Sequence, residues 1–177
     1  DEKGIITKLF DRKNYIIRKS VNLSKRTHII AANIDQAILV ASLTSPKTLP
    51  GFIDRFLATA EAYSIPAVVV FNKIDLYTDE DLDELEYLEL VYRNCGYTTL
   101  MTSATEHMNT EDFRNLLERK VSLLSGNSGV GKSTLVNAVE PNLDLRTKAI
   151  SDYHQQGQHT TTFAEMFELS FGGYIID

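Results

Sequence analysis

The sequence predicts an α/β fold with a mainly parallel sheet. From about residue 28 to residue 177, short apolar runs rich in β-branched residues alternate with amphipathic segments, the pattern of successive β/α units. Late in the chain, the segment GNSGVGKST at residues 126–134 lies between a predicted strand and a predicted helix. With 177 residues and 43% hydrophobic content, the chain can bury one substantial core.

The first half of this region is predicted to form three strands and two helices. The strands are HIIAANI at 28–34, QAILVASL at 36–43 and AVVVFN at 67–72, and the helices are GFIDRFLATAEAYS at 51–64 and TDEDLDELEYLELVYRNCG at 78–96. The apolar run in AVVVFN fits a strand that is buried on both faces. The second helix opens with Thr78 and Asp81 in the spacing of a capping box and ends before Gly96.

The second half continues the alternation. Predicted strands are YTTLMTS at 97–103, KVSLLSG at 120–126, AEMFELSF at 164–171 and YIID at 174–177, and predicted helices are TEDFRNLLE at 110–118 and STLVNAV at 133–139. Gly172 and Gly173 join the last two strands, which favours a turn between them. A long polar stretch with few apolar residues covers 141–162.

Charge is distributed unevenly along the chain. Residues 1–27 carry eight Lys/Arg against three Asp/Glu, whereas residues 28–177 carry ten against twenty-one. We call residues 1–27 the basic leader and residues 28–177 the acidic body. An acidic body is a poor electrostatic fit to a phosphate backbone, so a nucleic-acid contact is expected from the leader or from segments outside this sequence. A solvated charge run without function also explains the leader.

The composition also limits where in the cell the protein is expected to act. No stretch approaches the ~20 apolar residues that a membrane helix needs, and the first residues lack the layout of a secretory signal. We therefore expect a cytoplasmic protein without a membrane partner. A monomer is also expected. The single cysteine, Cys95, excludes an internal disulfide or a multi-cysteine zinc site within these residues.

The segment at 126–134 satisfies the phosphate-loop pattern G-x-x-x-x-G-K-[ST] in its required context of strand, loop and helix. Its backbone N–H groups are expected to converge on phosphate oxygens at a helix N-terminus. Lys132 is predicted to reach the β- and γ-phosphates, and the Ser133 hydroxyl is predicted to bind Mg²⁺. The pattern predicts a P-loop NTPase three-layer fold with these nucleotide-binding residues: Asn127, Ser128, Gly129, Val130, Gly131, Lys132, Ser133 and Thr134.

Two further motifs indicate that the base is guanine. NKID at residues 72–75 follows a predicted strand, where its Asp75 can accept hydrogen bonds from N1–H and the exocyclic amine of guanine. Asn72 and Lys73 are expected to tie this loop to the phosphate loop and to cover the base. In TSA at 102–104, Ser103 and Ala104 complete the predicted site, with the Ala104 N–H directed to the guanine carbonyl oxygen. A simple turn explains NKID alone equally well, but the phosphate loop favours a nucleotide site.

The order of the motifs is unusual for a GTPase. In most GTPases the order is the phosphate loop (G1), a switch threonine (G2), D-x-x-G (G3), N-K-x-D (G4) and S-A (G5). Here NKID and TSA come first, giving the order G4-G5-G1-G2-G3. We interpret the chain as a circular permutation. Such a rearrangement costs little where the original termini are close together at the surface.

The motifs resemble the ribosome-small-subunit-dependent GTPase A family, also called RsgA or YjeQ, through IIAANIDQAILVAS, NKID, TSA, GNSGVGKST and GQHTTT. The resemblance implies an N-terminal oligonucleotide-binding (OB) barrel, a central permuted GTPase domain and a C-terminal zinc-binding domain. Residues 1–27, with RKNYIIRKS, resemble the tail of the barrel and its linker, and residues 28–177 resemble the GTPase domain. Zinc is expected only in the further C-terminal domain.

For function, the resemblance implies hydrolysis of GTP to GDP and phosphate in late assembly of the small (30S) ribosomal subunit. The expected partners are GTP or GDP, the small subunit and its rRNA, contacted mainly through the flanking domains. Two alternatives stay open: a permuted GTPase of large-subunit assembly, and a nucleotide-dependent docking module with negligible hydrolysis. A small-molecule kinase is disfavoured by NKID.

The resemblance also assigns the switch residues. Residues 141–162 resemble switch I, where Thr160, Thr161 or Thr162 completes the Mg²⁺ shell; we favour Thr161, although strand propensity also explains a threonine run. Asp177 matches the first residue of D-x-x-G and is expected to hold Mg²⁺ through water. His159 is predicted to orient the attacking water, because a neutral imidazole can accept its hydrogen bond; a surface histidine without a role is the alternative. The predicted catalytic residues are thus His159, Lys132 and Thr161.

Overall fold

The computed structural model describes residues 5–19, 27–143 and 164–177. The strands are β1 (Tyr15–Lys19), β2 (Thr27–Ala32), β3 (Gln36–Ala41), β4 (Ala67–Phe71), β5 (Thr98–Met101), β6 (Val121–Ser125), β7 (Met166–Glu168) and β8 (Tyr174–Ile176). The helices are α1 (Pro50–Ala62), α2 (Asp79–Asn94), α3 (Thr110–Leu117) and α4 (Lys132–Val139), with 3₁₀ turns at Ile74–Leu76 and Pro141–Leu143.

Six of these strands form the main sheet, in the order β5-β4-β3-β6-β8-β7. The neighbouring pairs from β5 to β8 are parallel, and β7 adds to one edge antiparallel to β8. The central strand β3 is buried along its whole length. The predicted α/β class with a mainly parallel sheet is therefore confirmed.

Helices cover both faces of this sheet. Alternate residues of β3 point to opposite faces, with Ile38 and Val40 in one core and Leu39 and Ala41 in the other. On the first face the core is completed by α3 and α4, through Phe113, Leu117, Leu135 and Val136. On the second it is completed by α1 and α2, through Ile53, Leu57, Leu85 and Leu88. This arrangement is the predicted three-layer fold.

The predicted strand at 28–34 was expected to belong to the parallel sheet, but it pairs elsewhere. The run HIIAANI forms β2, but β2 pairs antiparallel with β1 in a separate two-stranded sheet instead of entering the parallel sheet. Ile29 and Ile30 are accordingly 45% and 37% exposed. Apolar periodicity identifies a strand but carries no information about which strand it pairs with. The domain boundary at residue 28 stays a prediction.

The start of α2 shows why its sequence forms a helix. The Thr78 hydroxyl accepts a hydrogen bond from the Asp81 N–H (3.3 Å), and the Asp81 carboxylate accepts one from the Thr78 N–H (3.0 Å). These reciprocal bonds satisfy two backbone donors that a helix N-terminus otherwise leaves unpaired. The predicted capping box is present.

Asp35 joins the leader segment to the amino edge of the main sheet. Its carboxylate accepts hydrogen bonds from the Val121 N–H (2.9 Å) and from Lys13 Nζ (3.2 Å). Its own N–H donates to the Val121 carbonyl oxygen (2.9 Å). The pKa of Asp35 is lowered, mainly by the hydrogen bond from the Val121 N–H and also by the nearby lysines. Partial burial of the carboxylate acts in the opposite direction but is outweighed.

We expect Asp35→Ala to lower the thermal unfolding midpoint at neutral pH and to have less effect in acid. Because its pKa is lowered by folding, the carboxylate stabilises the fold fully above the ordinary value of 3.8, and this stabilisation is lost as pH falls through the lowered pKa. Melting curves of both proteins from pH 7 to pH 2.5 would test this. Asp83→Ala, at an exposed acid of α2, is the control for removed charge. A difference between wild type and Asp35→Ala that does not change with pH would contradict the prediction.

Candidate nucleotide-binding site

The phosphate loop leaves the buried strand β6 and enters α4 at the carboxyl edge of the parallel sheet. Two of its glycines are required by close contacts. A Cβ on Gly126 (φ 149°) would lie 2.3 Å from the Val40 carbonyl oxygen, and one on Gly131 (φ 95°) would lie 2.4 Å from Asn72 Nδ2. Both residues also adopt positive φ angles that L side chains rarely take. The loop therefore packs directly against β3 and the NKID loop.

Lys132 is the first residue of α4, and its side chain folds back over the loop. Its Nζ donates hydrogen bonds to the carbonyl oxygens of Gly126 (2.9 Å) and Asn127 (3.4 Å). Ser133 follows in the first helical turn and is partly exposed. The ammonium group of Lys132 is thus next to the loop backbone. The roles of Lys132 and Ser133 in ligand binding stay predictions.

The remaining predicted residues of the loop differ in exposure. Ser128, Gly129 and Thr134 are exposed, whereas the Val130 side chain is completely buried in the core. Val130 can therefore face a ligand only through its backbone.

Asn72 connects the three loops that the motifs predict to meet. Its Nδ2 donates to the Val130 carbonyl oxygen (2.9 Å), 58 residues away in sequence. Its Oδ1 accepts from Thr102 Oγ1 (3.1 Å) and from the Ala104 N–H (3.3 Å). Asn72 is buried, with only 1% of its surface exposed. One amide thereby fixes the positions of NKID, TSA and the phosphate loop relative to one another.

The other two polar residues of NKID lie at the surface of this junction. Lys73 adopts a left-handed conformation (φ 68°), and its Nζ donates to the Ser45 carbonyl oxygen (2.6 Å). Asp75 is exposed, and its carboxylate accepts a hydrogen bond from Thr105 Oγ1 (3.4 Å). The Asp75 carboxylate therefore keeps acceptor capacity towards solvent.

Ser103 contributes to the shape of the TSA turn. Its backbone exchanges hydrogen bonds with that of Met108, and its Oγ accepts from the Glu106 N–H (3.1 Å). Because the residue is fully buried, its side chain supports the turn that presents Ala104 instead of facing solvent.

Asp177 follows β8 and comes close to the phosphate loop. β8 runs parallel to β6 with Ile176 opposite Leu123, so the next residue lies beside the carboxyl end of β6. Partial desolvation raises the pKa of Asp177, and the positive charge of Lys132 opposes that rise. The register of β8 on β6 places Asp177 at the same edge of the sheet as the phosphate loop and Lys132.

Oxygen ligands at this edge fit Mg²⁺, which favours hydroxyl, carboxylate and phosphate oxygens. Within residues 5–19, 27–143 and 164–177, no group of three or more His, Cys, Asp or Glu side chains is arranged to hold a metal. A phosphate-loop magnesium site draws on Ser or Thr hydroxyls, one aspartate and the nucleotide phosphates, so it does not need three such side chains. His159, Thr160, Thr161 and Thr162 lie outside the described residues.

The loop between β3 and α1, residues 42–49, which we call the β3–α1 loop, also contacts this site, although none of the motifs includes it. It supplies the Ser45 carbonyl oxygen to Lys73, and Pro46 Cδ would lie 3.5 Å from a Cβ on Gly129. The available signal was TSPKT, a run of turn-forming residues directly after a parallel strand, at the edge where ligands bind. A cleft that includes Gln36 and Lys120 lies at the opposite edge and shares no residue with these loops.

The fold and this site define the class: a circularly permuted GTPase fold, in which the base-reading loops precede the phosphate loop. The family model described as RsgA GTPase matches residues 9–177, and the chain belongs to this family. The resemblance predicted from the motifs is therefore confirmed.

Relatives and solved structures agree with this assignment. The Small ribosomal subunit biogenesis GTPase RsgA of Flavobacterium psychrophilum is 56% identical over 174 residues, covering 98% of this chain and 53% of that protein. Its namesake from Christiangramia forsetii is 56% identical over 177 residues, covering all of this chain and 56% of that protein. This chain thus spans about half the length of these relatives.

Two crystal structures share the fold. YjeQ from Thermotoga maritima has a TM-score of 0.74 and 39% identity, over 95% of this chain and 52% of that one. YloQ, described as a circularly permuted GTPase, has a TM-score of 0.62 and 26% identity, over 97% of this chain and 57% of that one. In the part of the chain that the structure describes, no helix combines the length and apolarity needed to cross a membrane.

Proposed function

We propose that this protein binds GTP with Mg²⁺, hydrolyses it to GDP and phosphate, and acts in maturation of the small ribosomal subunit. The observation that carries the nucleotide part is the position of Asn72, whose amide joins both base-reading loops to the phosphate loop. The ribosomal part rests on the names of relatives, which describe small ribosomal subunit biogenesis GTPases.

Guanine recognition is assigned to Asp75, Lys73 and Ala104. The exposed carboxylate of Asp75 can accept from N1–H and the exocyclic amine, a pair of donors that adenine does not present. Lys73, held by Ser45, would lie along the face of the base. The Ala104 N–H donates to Asn72 Oδ1 over 3.3 Å in the structure, and we propose that it exchanges this bond for one to the guanine carbonyl oxygen. Thr102 Oγ1 would then keep TSA bound to Asn72.

Phosphate binding is assigned to the loop at 126–134. The N–H groups before α4 and the positive end of that helix favour an anion. Lys132 would exchange its hydrogen bonds with Gly126 and Asn127 for bonds to the β- and γ-phosphates. The exchange replaces neutral acceptors by charged ones, which form stronger hydrogen bonds.

Hydrolysis is assigned to groups around the γ-phosphate. The Ser133 hydroxyl and Asp177, the latter through water, would hold Mg²⁺, which neutralises charge on the phosphates. Thr161 is the proposed third contributor to that shell, and His159 is the proposed acceptor that orients the attacking water. Both assignments rest on the resemblance of GQHTTT to the family motif.

The proposed setting is the cytoplasm, where the protein would act as a monomer. Contact with the small subunit and its rRNA is assigned mainly to flanking domains, because the body of this chain is acidic. Zinc is proposed only for the further domain that the family resemblance implies.

Steady-state GTP hydrolysis by the full-length protein, alone and with purified small or large ribosomal subunits, would test this proposal. Stimulation by the small subunit alone is the expected result. Stimulation by the large subunit alone would favour the alternative partner. Tight GTP binding without turnover under any of the three conditions would favour a docking module and would contradict the proposed hydrolysis.

A further inference from the structure

The hydroxyl of Tyr77 bridges the base-reading loop and the β3–α1 loop. It accepts a hydrogen bond from the Leu43 N–H (2.8 Å) and donates one to the Asn72 carbonyl oxygen (3.1 Å). Burial raises the pKa of this hydroxyl above its ordinary value, and the hydroxyl donates to Asn72 in the structure. The ring packs on the core formed by β3, β4, α1 and α2. A core side chain thus has its polar end between two loops of the nucleotide site.

The β3–α1 loop is well suited to serve as a support. Ser42 and Thr48 are fully buried, and hydrogen bonds close the loop between them: Thr48 N–H to the Ser42 carbonyl oxygen (2.6 Å) and Ser42 N–H to Thr48 Oγ1 (3.2 Å). Lys47 adds an ion pair with Glu84 of α2 (2.6 Å). A loop closed by its own buried polar groups presents its outer atoms in a defined position.

Both ends of the Asn72–Lys73 pair are held against this support. Tyr77 holds the Asn72 backbone through the hydroxyl bridge, and the Ser45 carbonyl oxygen holds the Lys73 ammonium. Asp75 lies between Lys73 and Tyr77 in a single 3₁₀ turn, so its carboxylate is carried by a segment that is fixed at both sides.

We propose that Tyr77 is a positioning residue for guanine recognition: its hydroxyl aligns the NKID loop on the β3–α1 loop and so sets where Asp75 meets the base. This inference rests on the proposed function of the site. Replacing tyrosine by phenylalanine keeps the ring and removes one oxygen, which leaves the Leu43 N–H and the Asn72 carbonyl oxygen without that partner. The turn that carries Asp75 would then lose its attachment at one side.

The test compares Tyr77→Phe with Tyr92→Phe in the full-length protein. Tyr92 packs in the same core, and its hydroxyl donates to Asp54 Oδ1 (3.1 Å) on α1, away from the loops. Each variant loses one tyrosine hydroxyl on the same core, with two hydrogen bonds removed in Tyr77→Phe and one in Tyr92→Phe. A loss of core stability would lower both melting temperatures, whereas a loss of nucleotide affinity is expected only in Tyr77→Phe. Kd values for GDP and for inosine diphosphate, which lacks the exocyclic amine, would be measured by calorimetry, with thermal melts of each variant.

For Tyr77→Phe we expect a rise of about tenfold in the Kd for GDP. The preference for GDP over inosine diphosphate should narrow, because the amine-reading carboxylate is displaced. The KM for GTP should rise while kcat stays nearly unchanged, since the lost contact acts equally in ground and transition states. Tyr92→Phe should retain wild-type values for both nucleotides.

Two results would overturn the inference: wild-type nucleotide affinities in Tyr77→Phe, or an equal loss of affinity in both variants. Neither result would affect the proposed function. A wild-type protein that binds GDP and inosine diphosphate equally weakly would instead contradict the guanine site itself.

Discussion

Replacing Lys132 with alanine is expected to lower GTP turnover by roughly a thousandfold, the scale of losing a charged group that stabilises the transferred phosphoryl group. The substitution removes the only side chain that the structure shows folding over the carbonyl oxygens of Gly126 and Asn127 within the described residues. Without that ammonium group, the charge that develops on the β- and γ-phosphates would lose the cation proposed to bind them. Single-turnover hydrolysis with excess protein would measure the loss.

Lys120→Ala provides the matched control for this measurement. Lys120 lies at the opposite edge of the sheet, where its Nζ donates to Gln36 Oε1 (3.4 Å), and its removal changes the net charge by the same amount. We expect this variant to turn over GTP at the wild-type rate. Retained turnover in Lys132→Ala would contradict the assignment of the phosphate loop as the hydrolytic site.

Asp75→Asn is expected to weaken GTP binding by about a hundredfold and to strengthen binding of xanthosine triphosphate. An ionised aspartate accepts two hydrogen bonds from guanine, whereas an asparagine amide offers one acceptor and one donor. Xanthine has a carbonyl oxygen in place of the exocyclic amine and therefore matches the amide. Because Asp75 is exposed and its carboxylate makes no hydrogen bond within residues 5–19, 27–143 and 164–177 except the long one from Thr105, the variant should remain folded.

Competition binding with GTP, ATP and xanthosine triphosphate would measure this change of preference. Asp83→Asn, at an exposed acid on α2, controls for the lost charge and should bind as the wild type does. Unchanged selectivity for GTP in Asp75→Asn would remove the base-reading role from NKID, while leaving the phosphate-loop assignment to be judged by Lys132→Ala.

Features that depend on neighbours in sequence were predictable. The capping box of Thr78 and Asp81 forms because its two bonds span three residues. The helix predicted at 133–139 after the phosphate loop forms as α4, which begins one residue earlier, at Lys132. The alternation of apolar and amphipathic segments was sufficient to predict the helices on both faces of a mainly parallel sheet.

Features that depend on strand order and packing were not predictable. Residues 28–34 have the pattern of a strand, but that pattern does not specify their antiparallel pairing with β1. Val130 belongs to the phosphate-loop motif, but only packing shows that its side chain enters the core. The support from Tyr77 was equally hidden, since a tyrosine two residues after NKID has no spacing signal of its own.

The sequence by itself determined the fold class, the motifs and their permuted order, because each rests on periodicity or on spacing within a few residues. Tertiary structure alone decided which atoms meet at the site. Asn72 reaches Val130 across 58 residues, and Tyr77 reaches Leu43 across 34, because parallel strands bring their carboxyl ends to one edge. Those contacts require the strand order and register of the folded sheet, which local sequence patterns do not specify.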